Sequence, residues 1–164
     1  ILIFALIFII FVIISAYLKK IICEEKYYLE EFIPGQNLED YVHENKIDNN
    51  FVEFLIHDIS SALDSLHDFN IIHRDVKPEN IIISEGRAVL IDYNISRIYS
   101  SEKRKDTTLY GTEKYAAPEQ YGFEQTSFSS DIYALGIVIE EISMNLDVSK
   151  RVKNFLNKAT QFNP

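Results

Sequence analysis

Three polar side chains on one short stretch carry the chemistry that this sequence offers. In IIHRDVKPENIII, residues 71–83, Asp75, Lys77 and Asn80 lie between two apolar runs, so a carboxylate, an ammonium and an amide share one loop. That trio suits phosphoryl transfer, which needs a base or positioner for the attacking hydroxyl, a cation for the phosphate, and oxygen ligands for Mg²⁺. Asp92 follows a second apolar run, AVLID, and offers another hard oxygen ligand.

The loop must be held by elements whose periodicities are readable. KYYLEEFIPG predicts a short strand over Tyr27–Phe32, stopped by Pro34 and Gly35. NLEDYVHEN predicts a short helix. A longer helix follows, on which Phe51, Phe54, Leu55, Ile59, Ala62, Leu63 and Leu66 form one apolar stripe. Asn50 or Asp48 can cap its start and Asn70 can end it. NIIIS and AVLIDY, with Gly86 between them, predict a small hairpin. Residues 99–115, with the basic run Lys103, Arg104 and Lys105, read as an exposed loop. SDIYALGIVIEEIS is apolar on most faces, as a buried helix is, and the amphipathic KRVKNFLNKAT predicts a last helix before Pro164.

HRDVKPEN, IDYN, GTEKYAAPE and SDIYALG, in this order and spacing, resemble the eukaryotic-like serine/threonine protein kinases of bacterial type. The resemblance covers about residues 27–164. It implies an α+β, protein-kinase-like fold: the hinge and a mainly helical C-terminal lobe with short β-hairpins. It implies ATP and Mg²⁺ as cofactors and the Ser/Thr hydroxyls of proteins as substrates. Asp75 would accept or orient the substrate hydroxyl, Lys77 would contact the transferring phosphate, and Asn80 and Asp92 would hold Mg²⁺. Glu31 and Ile33 would lie along the nucleotide at the hinge. Lys77, with Thr112 hydrogen-bonded near it and Asp75, marks the serine/threonine branch. Arg74 would meet a phosphate on Thr107 or Thr108. Asp131 would brace the backbone of the catalytic loop, Glu119 would pair with an arginine beyond the last helix, and His73 and Tyr93 would pack beneath the site.

The sequence departs from that pattern in places. The metal-binding tripeptide is Asp92-Tyr93-Asn94 where the family has D-F-G. Tyr keeps the aromatic packing if its hydroxyl finds a partner, and Asn tolerates the positive φ open to Gly. Glu30 occupies the gatekeeper position, where a larger apolar residue is common. Before Tyr27 there is no G-x-G-x-x-G and no V-A-I-K lysine. The N-terminal lobe is thus expected to be missing, and residues 26–164 alone to bind ATP weakly. The segment between Ser143 and Lys150 looks too short for the family's usual substrate-side helix.

Residues 1–18, ILIFALIFIIFVIISAYL, carry no charge and are followed by Lys19 and Lys20. As a helix they would extend about 27 Å, close to the hydrocarbon thickness of a bilayer. They are expected to form a single-pass cell-membrane segment, joined by a linker over 19–26 to a cytoplasmic kinase region; without such a segment the chain would be cytoplasmic. The net charge of −9 excludes nucleic acid as the main partner. The single cysteine, Cys23, excludes a disulfide framework. The alternative to a transferase is a membrane-tethered, non-catalytic pseudokinase that binds a partner through its helical lobe.

Overall fold

The helices start and stop where side chains supply what the backbone lacks. The computed structural model describes residues 31–99, 112–118 and 125–160. The chain divides into two compact units, 1–34 and 35–164. Of the first unit only residues 31–34 are described, as irregular backbone. The strand expected over Tyr27–Phe32 is therefore not formed at its last two residues, which have no strand partner among the described residues to take their backbone groups. Its first four residues, the membrane segment expected over 1–18 and the linker over 19–26 lie outside the described residues. Among the described residues no helix is long and apolar enough to cross a membrane.

In the second unit, α1 (Leu38–Glu44) is capped by Asn37, whose side chain accepts from the Asp40 amide. α2 (Asn49–Asp68) starts at Asp48 and not at Asn50, since the Asp48 carboxylate accepts from the Phe51 amide at 2.9 Å. Leu55, Ile59, Leu63 and Leu66 of the expected stripe are buried, joined by Val52, while Phe51, Phe54 and Ala62 flank them half-buried. The helix ends at Asp68 with Phe69 as its cap, and Asn70 next to it takes a positive φ of 57° that turns the chain out, its amide donating to the His67 carbonyl at 2.8 Å.

Two small antiparallel sheets follow. β3 (Ile81–Ser84) and β4 (Arg87–Leu90) form the expected hairpin, Ile81 opposite Leu90 and Ser84 opposite Arg87. Glu85 and Gly86 close it at φ 47° and 73°, the pair of positive values that a two-residue turn matching the strand twist requires. β1 (Gln36–Asn37) adds to the other edge of β3. A second pairing, not foreseen in the sequence, joins β2 (Ile71–Ile72) to β5 (Arg97–Ile98).

α3 (Phe128–Ile142) buries Ala134, Leu135, Gly136, Val138 and Ile139, as expected of a central helix. Gly136 admits α4 (Lys150–Ala159) closely: a Cβ there would stand 2.9 Å from that of Ala159. α4 stops at Ala159, and the Thr160 hydroxyl turns back onto the Leu156 carbonyl at 2.8 Å. Residues 143–149 join α3 to α4 without a helix, in line with the shortness noted in the sequence. They are tied to the first turn of α2: the Ser149 amide donates to Asn49 Oδ1 at 2.8 Å and its hydroxyl to Glu53 Oε1 at 2.7 Å.

Asp58 links α2 to the sheet. Its carboxylate is 8% exposed and accepts from the Ala88 amide at 3.0 Å and from Arg87 Nε at 3.1 Å. Burial pushes this carboxyl up, but the Ala88 amide, His57 and Arg87 together outweigh it and hold it below its ordinary value of 3.8. A depressed folded-state value means stability that is complete above 3.8 and lost as the pH falls through the folded value. Asp58→Ala should lower the unfolding free energy by about 2 kcal/mol at neutral pH, as loss of hydrogen bonds to a charged group does. The gap from wild type should narrow as the pH drops below 3.8. Urea unfolding at neutral and acid pH checks both statements.

Candidate active site

The loop that carries Asp75 hangs on one buried carboxylate. Asp131 stands in the first turn of α3, where the positive end of the helix favours an anion, and is 1% exposed. Its Oδ2 accepts from the His73 amide and from His67 Nε2, each at 2.9 Å, and its Oδ1 from the Arg74 amide at 2.8 Å. Two successive amides on one carboxylate fix the chain at Arg74, which takes a φ of 74°. That left-handed conformation costs about 1–2 kcal/mol for a residue with a side chain and persists because the surroundings impose it.

His73 is fully buried, and its ring bonds to the loop on both sides. Nδ1 faces the Asp75 amide at 3.3 Å, and Nε2 the Ile91 carbonyl at 3.1 Å. An amide can only donate and a carbonyl can only accept, so the ring is neutral with its proton on Nε2. Burial keeps its basicity below the ordinary histidine value, against the opposing pull of Asp131 and the Ile91 carbonyl. As expected of a packing histidine, it meets the Tyr93 ring edge-on at 5.0 Å.

Three polar side chains converge on Asp75. Thr112 Oγ1 donates to Asp75 Oδ1 at 3.1 Å, and Lys77 Nζ lies 3.1 Å from both Asp75 Oδ2 and Thr112 Oγ1. Asn80 Nδ2 donates to the Asp75 carbonyl at 2.9 Å and to Oδ2 at 3.0 Å. The four residues come from a short 3-10 turn at Pro78–Asn80, the loop before it, and a separate segment whose turn is closed by the Tyr115 and Ala116 amides on the Thr112 carbonyl.

Asn80 and Asp92 are neighbours through the backbone, since the Ile91 amide donates to the Asn80 carbonyl at 2.9 Å. With Nδ2 spent on Asp75, Asn80 keeps Oδ1 open, and Asp92 keeps Oδ2 open. Neither oxygen takes a hydrogen bond from the described residues. Two hard oxygens of this kind fit Mg²⁺, which takes one or two protein ligands and completes its shell with water and phosphate. Among the described residues no cluster of three His, Cys, Asp or Glu forms a metal cage.

The backbone at the tripeptide turns at its first residue. Asn94 does not use the positive φ for which its glycine-like tolerance was invoked; Asp92 does, at 62°. The Asn94 amide instead donates to Asp92 Oδ1 at 3.2 Å, a local turn that supports the left-handed residue. The Tyr93 hydroxyl finds the partner it needs, the Leu90 carbonyl at 2.9 Å.

Two side chains near the site were missed in the sequence. His67 continues the buried spacing Ile59, Leu63, which could have marked it as inward-facing. Glu141, late in α3, receives the Tyr115 hydroxyl at 2.8 Å and pairs with Lys114 at 2.5 Å, so it anchors the turn that presents Thr112. Burial and the Glu141 carboxylate push the Tyr115 hydroxyl up to about 12, so it stays a donor. No periodicity distinguishes Glu141 from a solvated glutamate. Thr107, Thr108, Glu119, Glu30 and the basic run at 103–105 lie outside the described residues. Glu31 and Ile33 belong to the first unit, as irregular backbone.

Removing the anchor should be costly. Asp131→Ala leaves two buried amides and a histidine without their acceptor, a loss of about 3 kcal/mol or more. Denaturant unfolding should show it, against a cost near that of an ordinary surface substitution for the exposed Asp64→Ala.

Comparison with known proteins agrees with this geometry. The family model for the protein kinase domain matches residues 10–162, a span that begins inside the apolar run of residues 1–18. The chain is 35% identical over 121 residues to "Probable serine/threonine-protein kinase PknB" of Lactococcus lactis, covering 72% of this chain and 19% of that protein. It is 32% identical over 123 residues to "Serine/threonine-protein kinase pak-1" of Caenorhabditis elegans, covering 74% and 22%. It is 42% identical over 89 residues to "Serine/threonine-protein kinase PknH" of Mycobacterium bovis, covering 53% and 15%. The chain thus spans about a fifth of the length of the curated relatives it matches. With the motifs in order, their side chains gathered on Asp75, and nearly the whole sequence matched, this chain belongs to the protein kinase family, among the eukaryotic-like serine/threonine kinases of bacterial type.

Proposed function

We propose that the protein is a serine/threonine kinase that transfers the γ-phosphoryl group of ATP to protein Ser and Thr hydroxyls. The observation that carries this reading is the triangle of Asp75, Lys77 and Thr112, each within 3.1 Å of the next. A substrate hydroxyl entering the triangle would give its proton to, or be aligned by, the Asp75 carboxylate. Lys77 would meet the phosphate, and Thr112 would hold both side chains in place. Mg²⁺, when bound, supplies neutralising charge to the phosphates; Asn80 Oδ1 and the Asp92 carboxylate would hold it. Arg74 would receive a phosphate placed on Thr107 or Thr108.

The test is phosphate transfer from labelled ATP to a Ser/Thr-containing protein by the full-length protein. Asp75→Asn should lower kcat roughly 100-fold or more, the usual weight of a positioned acid–base group, with thermal stability near that of wild type. Equal rates for the two would remove Asp75 from the chemistry. A folded wild type with neither transfer nor ATP binding would favour the non-catalytic binding module.

Membrane attachment through residues 1–18 is part of the proposal. It is supported by the length and lack of charge of that run and by the lysines after it, while the family match from residue 10 weighs against it. Full-length protein should stay in the membrane pellet on alkaline carbonate extraction. Its release would mean that this run folds with the kinase domain.

A further inference from the structure

The tyrosine that replaces phenylalanine in the metal-binding tripeptide has a bond that a phenylalanine could not make. The Tyr93 hydroxyl reaches back to the Leu90 carbonyl at 2.9 Å, and its ring lies edge-on to His73 at 5.0 Å. His73 Nε2 in turn donates to the Ile91 carbonyl at 3.1 Å. The two carbonyls just before Asp92 are therefore each tied by a side chain, and those two side chains pack on each other. Just after it, the Asn94 amide closes onto Asp92 Oδ1 at 3.2 Å. Between these ties Asp92 sits at φ 62°, a conformation that a residue with a side chain leaves when its surroundings loosen.

We propose that Tyr93 is a positioning residue for metal binding: its hydroxyl holds the strained Asp92 turn in the one conformation that leaves Oδ2 open beside Asn80. The inference rests on the reading of Asp92 as a metal ligand and adds to it the group that fixes that ligand. A phenylalanine would keep the contact with His73 but release the Leu90 carbonyl, so the turn would sample other conformations and the metal would have to select one of them. Affinity falls by the fraction of time the competent conformation is lost.

The probe is Mn²⁺, titrated into full-length protein with ADP present, with free Mn²⁺ followed by electron paramagnetic resonance. Tyr93→Phe is expected to weaken Mn²⁺ binding about tenfold, the lower end of what supporting hydrogen bonds contribute at metal sites. It should also speed hydrogen exchange of the Asn94 amide in metal-free protein. A lower Tm with unchanged Mn²⁺ affinity and unchanged exchange would reduce Tyr93 to a packing residue and overturn the inference. Asp92→Asn separates the two levels. If it binds Mn²⁺ as well as wild type, the metal-ligand reading itself falls and takes the inference with it. If Asp92→Asn is weakened and Tyr93→Phe is not, the inference alone falls.

Discussion

A buried negative charge without enough donors would be ruinous in a lobe of this size, and the loop that carries Asp75 is shaped by the need to supply them. Asp131 is almost wholly withdrawn from water, so its charge must be matched inside the protein. Two of its three donors are consecutive backbone amides, those of His73 and Arg74. With both amides held on one carboxylate, the chain turns just after them, at the left-handed Arg74. Its consequence appears at the next residue: Asp75 leaves the bend towards Thr112, Lys77 and Asn80.

Around Asp75 the balance is of another kind. Its carboxylate is half-buried, and Lys77, Thr112 and Asn80 hold it in place without enclosing it. The neutral His73 beneath it bonds to the loop through one ring nitrogen and to the end of the β4 run through the other. The same imidazole thus touches both carboxylate-bearing segments, that of Asp75 and that of Asp92. The loop and the tripeptide form one hydrogen-bonded body.

Much of this was legible in the sequence where a local rule applied. The stripe on α2, the β3–β4 hairpin with its glycine, the central helix and the amphipathic last helix follow from periodicity and turn chemistry, which a single segment carries. The cluster of Asp75, Lys77, Asn80 and Thr112 was legible only through the family resemblance, because Thr112 lies far along the chain from the others. The pairing of β2 with β5 was not legible: Arg97 and Ile98 become a strand only because Ile71 and Ile72 offer an edge to them. Glu141 was hidden for a related reason, since an acidic residue late in a helix looks solvated until a tyrosine folds onto it. The left-handed residue of the tripeptide was not legible either: it is Asp92, at the first position, and the tolerance of Asn94 at the third is not called upon.

The ties between residues 143–149 and the first turn of α2 bear on how this lobe would carry a mechanical load. A pull on α4 meets Ser149 first, and Ser149 is fastened to Asn49 and Glu53. Tension would therefore be shared between the long α2 helix, through these bonds, and α3, which α4 meets directly where Ala159 packs on Gly136. The helix-free connection between α3 and α4 thus acts as a clamp on α2, dividing strain applied at the far end of the lobe between two helices.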